Sequence, residues 1–540
     1  MLCVLHYNQH MINLRDRRIG DLFDAWGHIG SKRRALLDRG WAGVFRQHLF
    51  ESLPIEELAQ GFSADMGRPS KDLSVVLGAL ILQQMHDLTD AATVEAISFN
   101  LAWHYALDIR MESDAYICER TLRNYRRMII DKGLDEVLFR GLTDRLIEAF
   151  GVEVKKQRLD STSVRSAKRT LTRLGIFVEG LAKFLRELKR EHPRLYKKVD
   201  EQVIERYIGR KGAGCFDFSK PSESNRRLPE AALDIWAQIC LFEQTAAATL
   251  ASFSILKRIF DEHVAVEQGD DDRPVLQIRP GKEVPCDSVQ NPADPDASYN
   301  ARRGQGYLVQ IMESYQEDEG DAKDPVSPDI ITHVSVGKMT GHDSAHLAPA
   351  IEDTSSRGIM PEFLAADSHY GSIDNVDHAK GNGIELVAPA MPPRGYKKDR
   401  LGLENFELNE SGLVSKCPAG HAPCSASMGP KRIQARFDEQ TCTFCRFKDR
   451  CVAKVRNGYA RIQYTHERLR QCRRRLAQDS DEFRSRYRWR AGIEATMSRL
   501  KYQVGLASLR VRGMAAVKYA VCLRALGLNV FRCTAALRAA

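Results

Sequence analysis

One acid set among bases marks where this chain could do chemistry. In the stretch YRWRAGIEATMSRLK, the spacing of Tyr487, Arg490, Glu494 and Lys501 places all four within an arc of roughly 60° if the stretch is one α-helix. Only Gly492 weakens the run, and it holds no proline. Trp489, Ile493, Met497 and Leu500 form a neighbouring apolar stripe for a core. A carboxylate beside two cations and a phenol suits a site that holds a metal ion and phosphates. The same spacing also serves a solvated face stitched by i,i+3 and i,i+4 ion pairs.

Two further acids stand at expected strand ends. Val152 to Asp160 alternates like a strand and runs into Leu-Asp-Ser-Thr-Ser, and Phe363-Leu-Ala-Ala runs into Asp367. Taken singly, Asp160 could be a turn residue, Asp367 a helix cap and His369 a surface turn histidine. Five of the 13 cysteines cluster between Asp367 and Glu494. Cys442-x2-Cys445 has a metal-knuckle spacing, and Cys417 with Cys451 would complete a four-thiolate zinc site; His421 or Cys424 could replace Cys417. No acid or base stands inside the cluster, so such a zinc would be structural. The alternative is a loop of free thiols.

The elements that must position these groups follow from pattern. A chain of 540 residues can hold two or three domains with sizeable cores. Residues 1 to about 150 read as helical. Lys71–His86 is apolar at helical spacing, after Gly67-Arg68-Pro69-Ser70 with Ser70 as an N-cap. Thr89 or Asp90 caps a helix carrying Val94, Ile97, Leu101, Trp103 and Tyr105. A basic helix follows Cys118, with Leu122, Tyr125 and Met128 or Ile129 inward. Short helices and then a basic one suggest a helix-turn-helix-like DNA binder; a plain bundle making dimer contacts is the alternative. Residues 151–540 then read strand, helical insertion (about 170–285), hairpin, helix, strand, helix, strand, Cys-rich insertion (about 395–465) and helix.

The net charge of +9 is moderate, but its distribution is uneven. Nine arginines crowd residues 468–490, and a second basic run spans Lys155 to Arg173. Both flank the acids, so a polyanion such as DNA is the natural partner. No run of about 18 apolar residues suggests a membrane span. The N-terminus lacks the basic-then-apolar order of a signal peptide. Clustered cysteines fit a reducing compartment, and a cytoplasmic protein is expected.

Tyr-x2-Arg-x3-Glu-x6-Lys resembles, at all four positions, the YREK signature of bacterial insertion-sequence transposases of the DDE class. The resemblance covers most of the chain. It implies an α/β fold: an RNase H-like mixed sheet with helices, interrupted by a helical and a small Cys-rich insertion and preceded by an all-α N-terminal domain. It implies that Asp160, Asp367 and Glu494 hold two Mg²⁺ (or Mn²⁺) ions, and that Tyr487, Arg490 and Lys501 hold DNA near the cleaved end. Arg510 and Arg512, before Gly513, resemble the basic turn after the signature helix. Asp294 and Asp296 lie in a turn resembling a recurrent family element and are assigned no metal. The implied activity is DNA strand cleavage and strand transfer on terminal inverted repeats and target DNA, by a homodimer. A non-catalytic DNA-binding regulator and a plain nuclease are the alternatives.

Overall fold

In a computed structural model the described residues are 12–13, 24–62, 69–208, 221–268, 274–317, 327–391, 399–456 and 458–539, the side chains of 221–225 excepted. Gly67 and Arg68 of the expected turn, the first residues of the Cys-rich span and parts of the N-terminal segment lie outside them.

The N-terminal part is helical: α1 (Leu73–Met85), α2 (Asp90–Phe99), α3 (Leu101–Ala106), α4 (Glu119–Asp131) and α5 (Leu134–Phe150). Asp72, not Ser70, caps α1, accepting from the Ser74 and Val75 amides at 2.9 and 3.3 Å. Ser70 Oγ instead accepts from the Asn13 amide. Thr89 caps α2. The single helix expected beyond it is two, because Asn100 leaves the helical region and its carboxamide caps α3. Every residue of α1 is buried, so it is a core helix rather than an amphipathic one.

The central sheet holds β1 (Lys156–Arg165), β4 (Ser298–Asn300), β5 (Gly304–Ser314), β6 (Ile331–Lys338), β7 (Phe363–Ala366) and β8 (Glu385–Val387), where β2 (Val264–Gln268) and β3 (Pro274–Ile278) form a separate hairpin. β5, β1, β7 and β8 lie in that order, and β4 and β6 both pair along the outer edge of β5. β1 is antiparallel to β5 and parallel to β7; β7 is parallel to β8. α9 (Leu347–Ser356) and α10 (Ile373–Gly381) join these strands, after the insertion helices α6 (Arg173–Glu191), α7 (Pro221–Phe242) and α8 (Ala251–His263). The protein is therefore mixed α/β with a helical N-terminal region.

The insertion from about 170 has its own core around Phe177, Phe184, Phe242 and Phe260. The β2–β3 hairpin was not foreseen there. His263 ends α8 buried, its Nδ1 accepting from Arg173 Nε at 3.1 Å. Burial, and then the Arg173 charge, push its imidazole down to about 4. The unfolded chain, at about 6.5, binds the extra proton first. Stability should thus be level above pH 6.5 and fall by on the order of 2–3 kcal/mol on going down to about pH 4. Urea midpoints against pH, compared with His263→Gln, measure this; equal slopes in both proteins would contradict it.

A β-rich unit follows β8. It has a short ribbon, β9 (Glu407–Leu408) with β10 (Val414–Lys416), and a four-stranded antiparallel sheet of β11 (Ser425–Met428), β12 (Ile433–Asp438), β14 (Tyr459–Tyr464) and β13 (Lys454–Arg456), in that order. Then come α11 (His466–Ala477), α12 (Asp481–Tyr487), a 3-10 turn (Arg488–Gly492), α13 (Ile493–Tyr502) and α14 (Met514–Ala539).

α14 packs against α1, α5 and β6. One continuous core runs from Trp26 through α1, α4 and α5 to one sheet face (Val164, Tyr307, Ile311), then to Leu500 and α14. The two long helices touch so closely that a Cβ on Gly527 would lie 2.8 Å from the Met85 Cα. α14 is long and apolar enough to cross a membrane by composition, against the expectation that no run would be, but 78% of its apolar window is buried inside the fold. Asp294 and Asp296 receive the start of this helix: Gly513 N donates to Asp294 at 2.9 Å and Met514 N to Asp296 at 2.8 Å. Their turn is a structural capping device.

Candidate active site

Strand register brings the first two acids together. Leu159 pairs with Ala366 in the parallel β1–β7 ladder, so Asp160 and Asp367 follow at adjacent positions. Asp160 does not end its strand as expected. It lies within β1, at the point where β7 leaves the ladder. Its Oδ1 accepts from the Ser161 amide, and its Oδ2 pairs with Arg490 Nη2. Burial first, with Asp367 and Asp343 adding to it, holds the Asp160 carboxyl above its usual range against the opposing pull of Arg490. Asp367 does cap the following turn, accepting from the His369 amide at 2.7 Å, and His369 Nδ1 lies 3.1 Å from its other oxygen.

The third acid arrives on a different scaffold from the one the spacing suggested. Tyr487 to Lys501 is not one helix: Tyr487 ends α12, Arg490 sits in the 3-10 turn, and Glu494 and Lys501 lie on α13. The single helix is interrupted, yet Tyr487, Arg490 and Glu494 still converge. Arg490 bridges Asp160 and Glu494, the latter at 3.1 Å from Nη1. Tyr487 is raised by burial and by the charges of Asp367, Asp160 and Glu494, against Arg490. Lys501 lies seven residues, about 10.5 Å, along α13 from Glu494 and close to the same face. Glu494 is well exposed (69%), so it can turn toward a ligand.

A buried ionic network fixes α13 to the sheet. Glu313 on β5 has no solvent exposure. It accepts from Arg158 Nε (2.7 Å), Arg532 Nη1 (2.8 Å) and Thr496 Oγ1 (2.6 Å). Arg158 also reaches Asp329 and the Trp489 carbonyl. A Cβ on Gly492 would lie 2.0 Å from Arg158 Nη1. The glycine leaves room for Arg158, and it closes the 3-10 turn that interrupts the expected helix. Sequence reasoning missed this network, whose partners are far apart in the chain.

It also missed Asp343, a buried acid just after β6 that accepts from Arg303 and Gln310, each at 3.1 Å. Burial opposes it, but these bonds and one from Ser161 hold its carboxyl below the usual range. Its charge reaches Asp160. Only its position after a strand hinted at a role.

The basic runs are largely engaged internally. Arg470 pairs with Asp377, Arg486 with Glu385, and Arg468 and Arg475 with Glu404; Arg474 donates to the Gly371 and Ala388 carbonyls. Arg510, expected at DNA, makes a forked contact with Asp87 at 2.7 and 3.2 Å, where Arg524 also pairs. Arg512 is exposed.

Cys417, Cys442, Cys445 and Cys451 line one cavity with His421, whereas Cys424 does not. The Phe447 amide donates to Cys445 Sγ at 3.4 Å. Among the described residues, no group of three or more histidine, cysteine or acidic side chains is drawn together as a metal site, here or at the acids.

Two family models match. Residues 39–128 match the Transposase domain (DUF772), and residues 416–534 match the Transposase DDE domain. The two matches together support an insertion-sequence DDE transposase. The second match includes Tyr487, Arg490, Glu494 and Lys501 and all five clustered cysteines, but neither Asp160 nor Asp367. No curated protein matches the chain. A DDE transposase is a nucleic-acid-processing enzyme, and its substrate is DNA.

Proposed function

We propose that this transposase carries an RNase H-like catalytic core within residues 151–540, in which Asp160, Asp367 and Glu494 are the catalytic acids. The observation that carries the reading is the register that aligns Asp160 with Asp367 on neighbouring parallel strands, with Glu494 joined to Asp160 through Arg490. The strand order, with its antiparallel hairpin beside β1, supports the fold assignment. All three donors are carboxylate oxygens, which fit Mg²⁺ or Mn²⁺. Two such ions, when bound, supply activation of the attacking oxygen and stabilisation of the leaving one. The chain's own groups do the rest. Arg490 exchanges its carboxylate partners for a DNA phosphate, releasing Glu494. Lys501 and the Tyr487 hydroxyl hold the strand near the scissile bond, and Arg512 contacts it farther on. Arg510 holds the turn through Asp87. Water and then a freed 3′-hydroxyl are the successive nucleophiles, so hydrolysis of one strand precedes its joining to target DNA. On α4, Arg120, Arg123, Asn124 and Arg127 form an exposed stripe suited to reading the inverted repeats within a homodimer.

The test uses duplexes carrying the DNA ends that flank the coding region, with Mg²⁺ or Mn²⁺. Wild type should nick and join them, and Glu494→Gln should bind without cutting. Tight binding with no cutting by either protein would favour a binding-only regulator, and cutting without joining a plain nuclease.

In the β-rich unit, Cys417, Cys442, Cys445 and Cys451 are the proposed ligands of one structural zinc. The soft thiolate set fits that ion, with His421 beside it. The full chain should carry about one zinc per protomer by elemental analysis, lost together with thermal stability in Cys442→Ser. A zinc-free wild type with unchanged melting would refute the assignment.

A further inference from the structure

The β11–β12–β14–β13 sheet has one face packed on its own core through Ile433, Ala435, Phe437, Ala460 and Ile462. Its other face carries an arrangement that costs stability unless something answers it. Arg436 stands directly opposite Arg461, and Arg461 directly opposite Lys454, across three adjacent antiparallel strands. Ser425 extends this row on the far side of Arg436. In the next row Asp438, Tyr459 and Arg456 are paired. Like charges directly opposed in a ladder repel. No carboxylate pairs with Arg436, Arg461, Lys454 or Arg456 among the described residues, and the Nε atoms of Arg436 and Arg461 are buried without a hydrogen-bond partner. The acid that these strands carry, Asp438, is taken up in capping the short helix Glu439–Thr443 after β12, through the Thr441 amide and hydroxyl.

The sheet is not remote from the acids. β14 runs into α11, and from α11 Arg474 donates to the carbonyls of Gly371 (2.6 Å) and Ala388 (2.9 Å). These residues follow β7 and β8 at the end of the sheet that carries Asp367. Arg470 adds a pair with Asp377 on α10.

We infer that the outer face of this sheet is a phosphate-binding platform for duplex DNA, with Arg436, Arg461 and Lys454 as one rank of contacts and Arg456 and the Tyr459 hydroxyl beside it. It rests on the transposase reading for the identity of the polyanion, and on charge complementarity for the face. Contacts of this kind position the duplex without reading its sequence.

The experiment measures equilibrium binding of the full-length chain to an end duplex and to a random duplex of the same length, without divalent metal, over a salt series. Three neutralised phosphates contribute about 2–3 to the slope of log K against log salt. The triple variant Arg436→Ala/Arg461→Ala/Lys454→Ala should lose that much slope on both duplexes. Between about 50 and 200 mM salt, wild type should therefore lose about 40-fold more affinity than the variant. Its melting temperature without DNA should hold or rise, because opposed charges have been removed. Arg436→Lys/Arg461→Lys should keep the slope. A triple variant with wild-type slope and affinity, in a chain that still binds and cuts end duplexes, would overturn the platform alone. A wild-type chain that bound no duplex would overturn the platform and the proposed reaction together.

Discussion

Asp160→Asn should slow metal-dependent nicking of an end duplex by on the order of 10³-fold while leaving binding intact. Asp160 is the acid on which the other groups depend: it is buried, adjacent in register to Asp367, and joined through Arg490 to Glu494. Asparagine keeps its shape and its acceptor for the Ser161 amide, so β1 should be undisturbed. The variant lacks the charge that a hard cation requires. Without divalent metal, the same change should hold or tighten DNA binding, because a phosphate approaching the site otherwise faces Asp160, Asp367 and the nearby charge of Asp343. A labelled-strand nicking assay with a parallel metal-free binding titration reads both effects. Nicking within tenfold of wild type would remove Asp160 from the reaction.

Glu313→Gln should destabilise the fold by about 3–5 kcal/mol, the loss expected when one member of a buried ionic group is neutralised. Arg158 and Arg532 are nearly as buried as Glu313, so both would be left with a charge that water cannot reach. Asp329 pairs with Arg158 and its charge also reaches Arg532, which offsets part of this, but among the described residues no second carboxylate pairs directly with Arg532. The damage should also reach catalysis, because Thr496 on α13 donates to Glu313 two residues beyond Glu494. Denaturant unfolding gives the energy. A shift below about 1 kcal/mol would mean that the network is solvated or relaxes easily.

How far the sequence led can be judged from particular residues. The order of strands was legible because each is a short apolar run bounded by turn residues, and the register then aligned Asp160 with Asp367. The convergence of Tyr487, Arg490 and Glu494 was legible as a spacing, but its reason was not. Periodicity treats Gly492 as a tolerable weak point in a helix. In the fold a 3-10 turn from Arg488 to Gly492 interrupts the helix, and Arg158 from β1 fills the place that a side chain on Gly492 would take. Glu313 drew no notice in the sequence, since its partner Arg532 lies 219 residues away. The arginines of 468–490 looked free for DNA because their acids, Glu404, Asp377 and Glu385, belong to other segments. Ionic pairing across the chain leaves no periodic trace, whereas apolar burial does. The cationic row on β12, β14 and β13 escaped notice for the same reason: it exists only once the strands are paired.

The shared core has a consequence for how the protein is made. α1, α4 and α5 bury their apolar faces partly against α14, which is synthesised several hundred residues after them. On the ribosome the N-terminal helices therefore emerge with much of their eventual packing partner still unmade, and they must wait for it. A product truncated before residue 514 would leave that apolar surface uncovered and be prone to aggregate or be degraded. Such fragments would not accumulate as stable competitors for DNA. The DNA would then be occupied chiefly by chains that had been translated through α14.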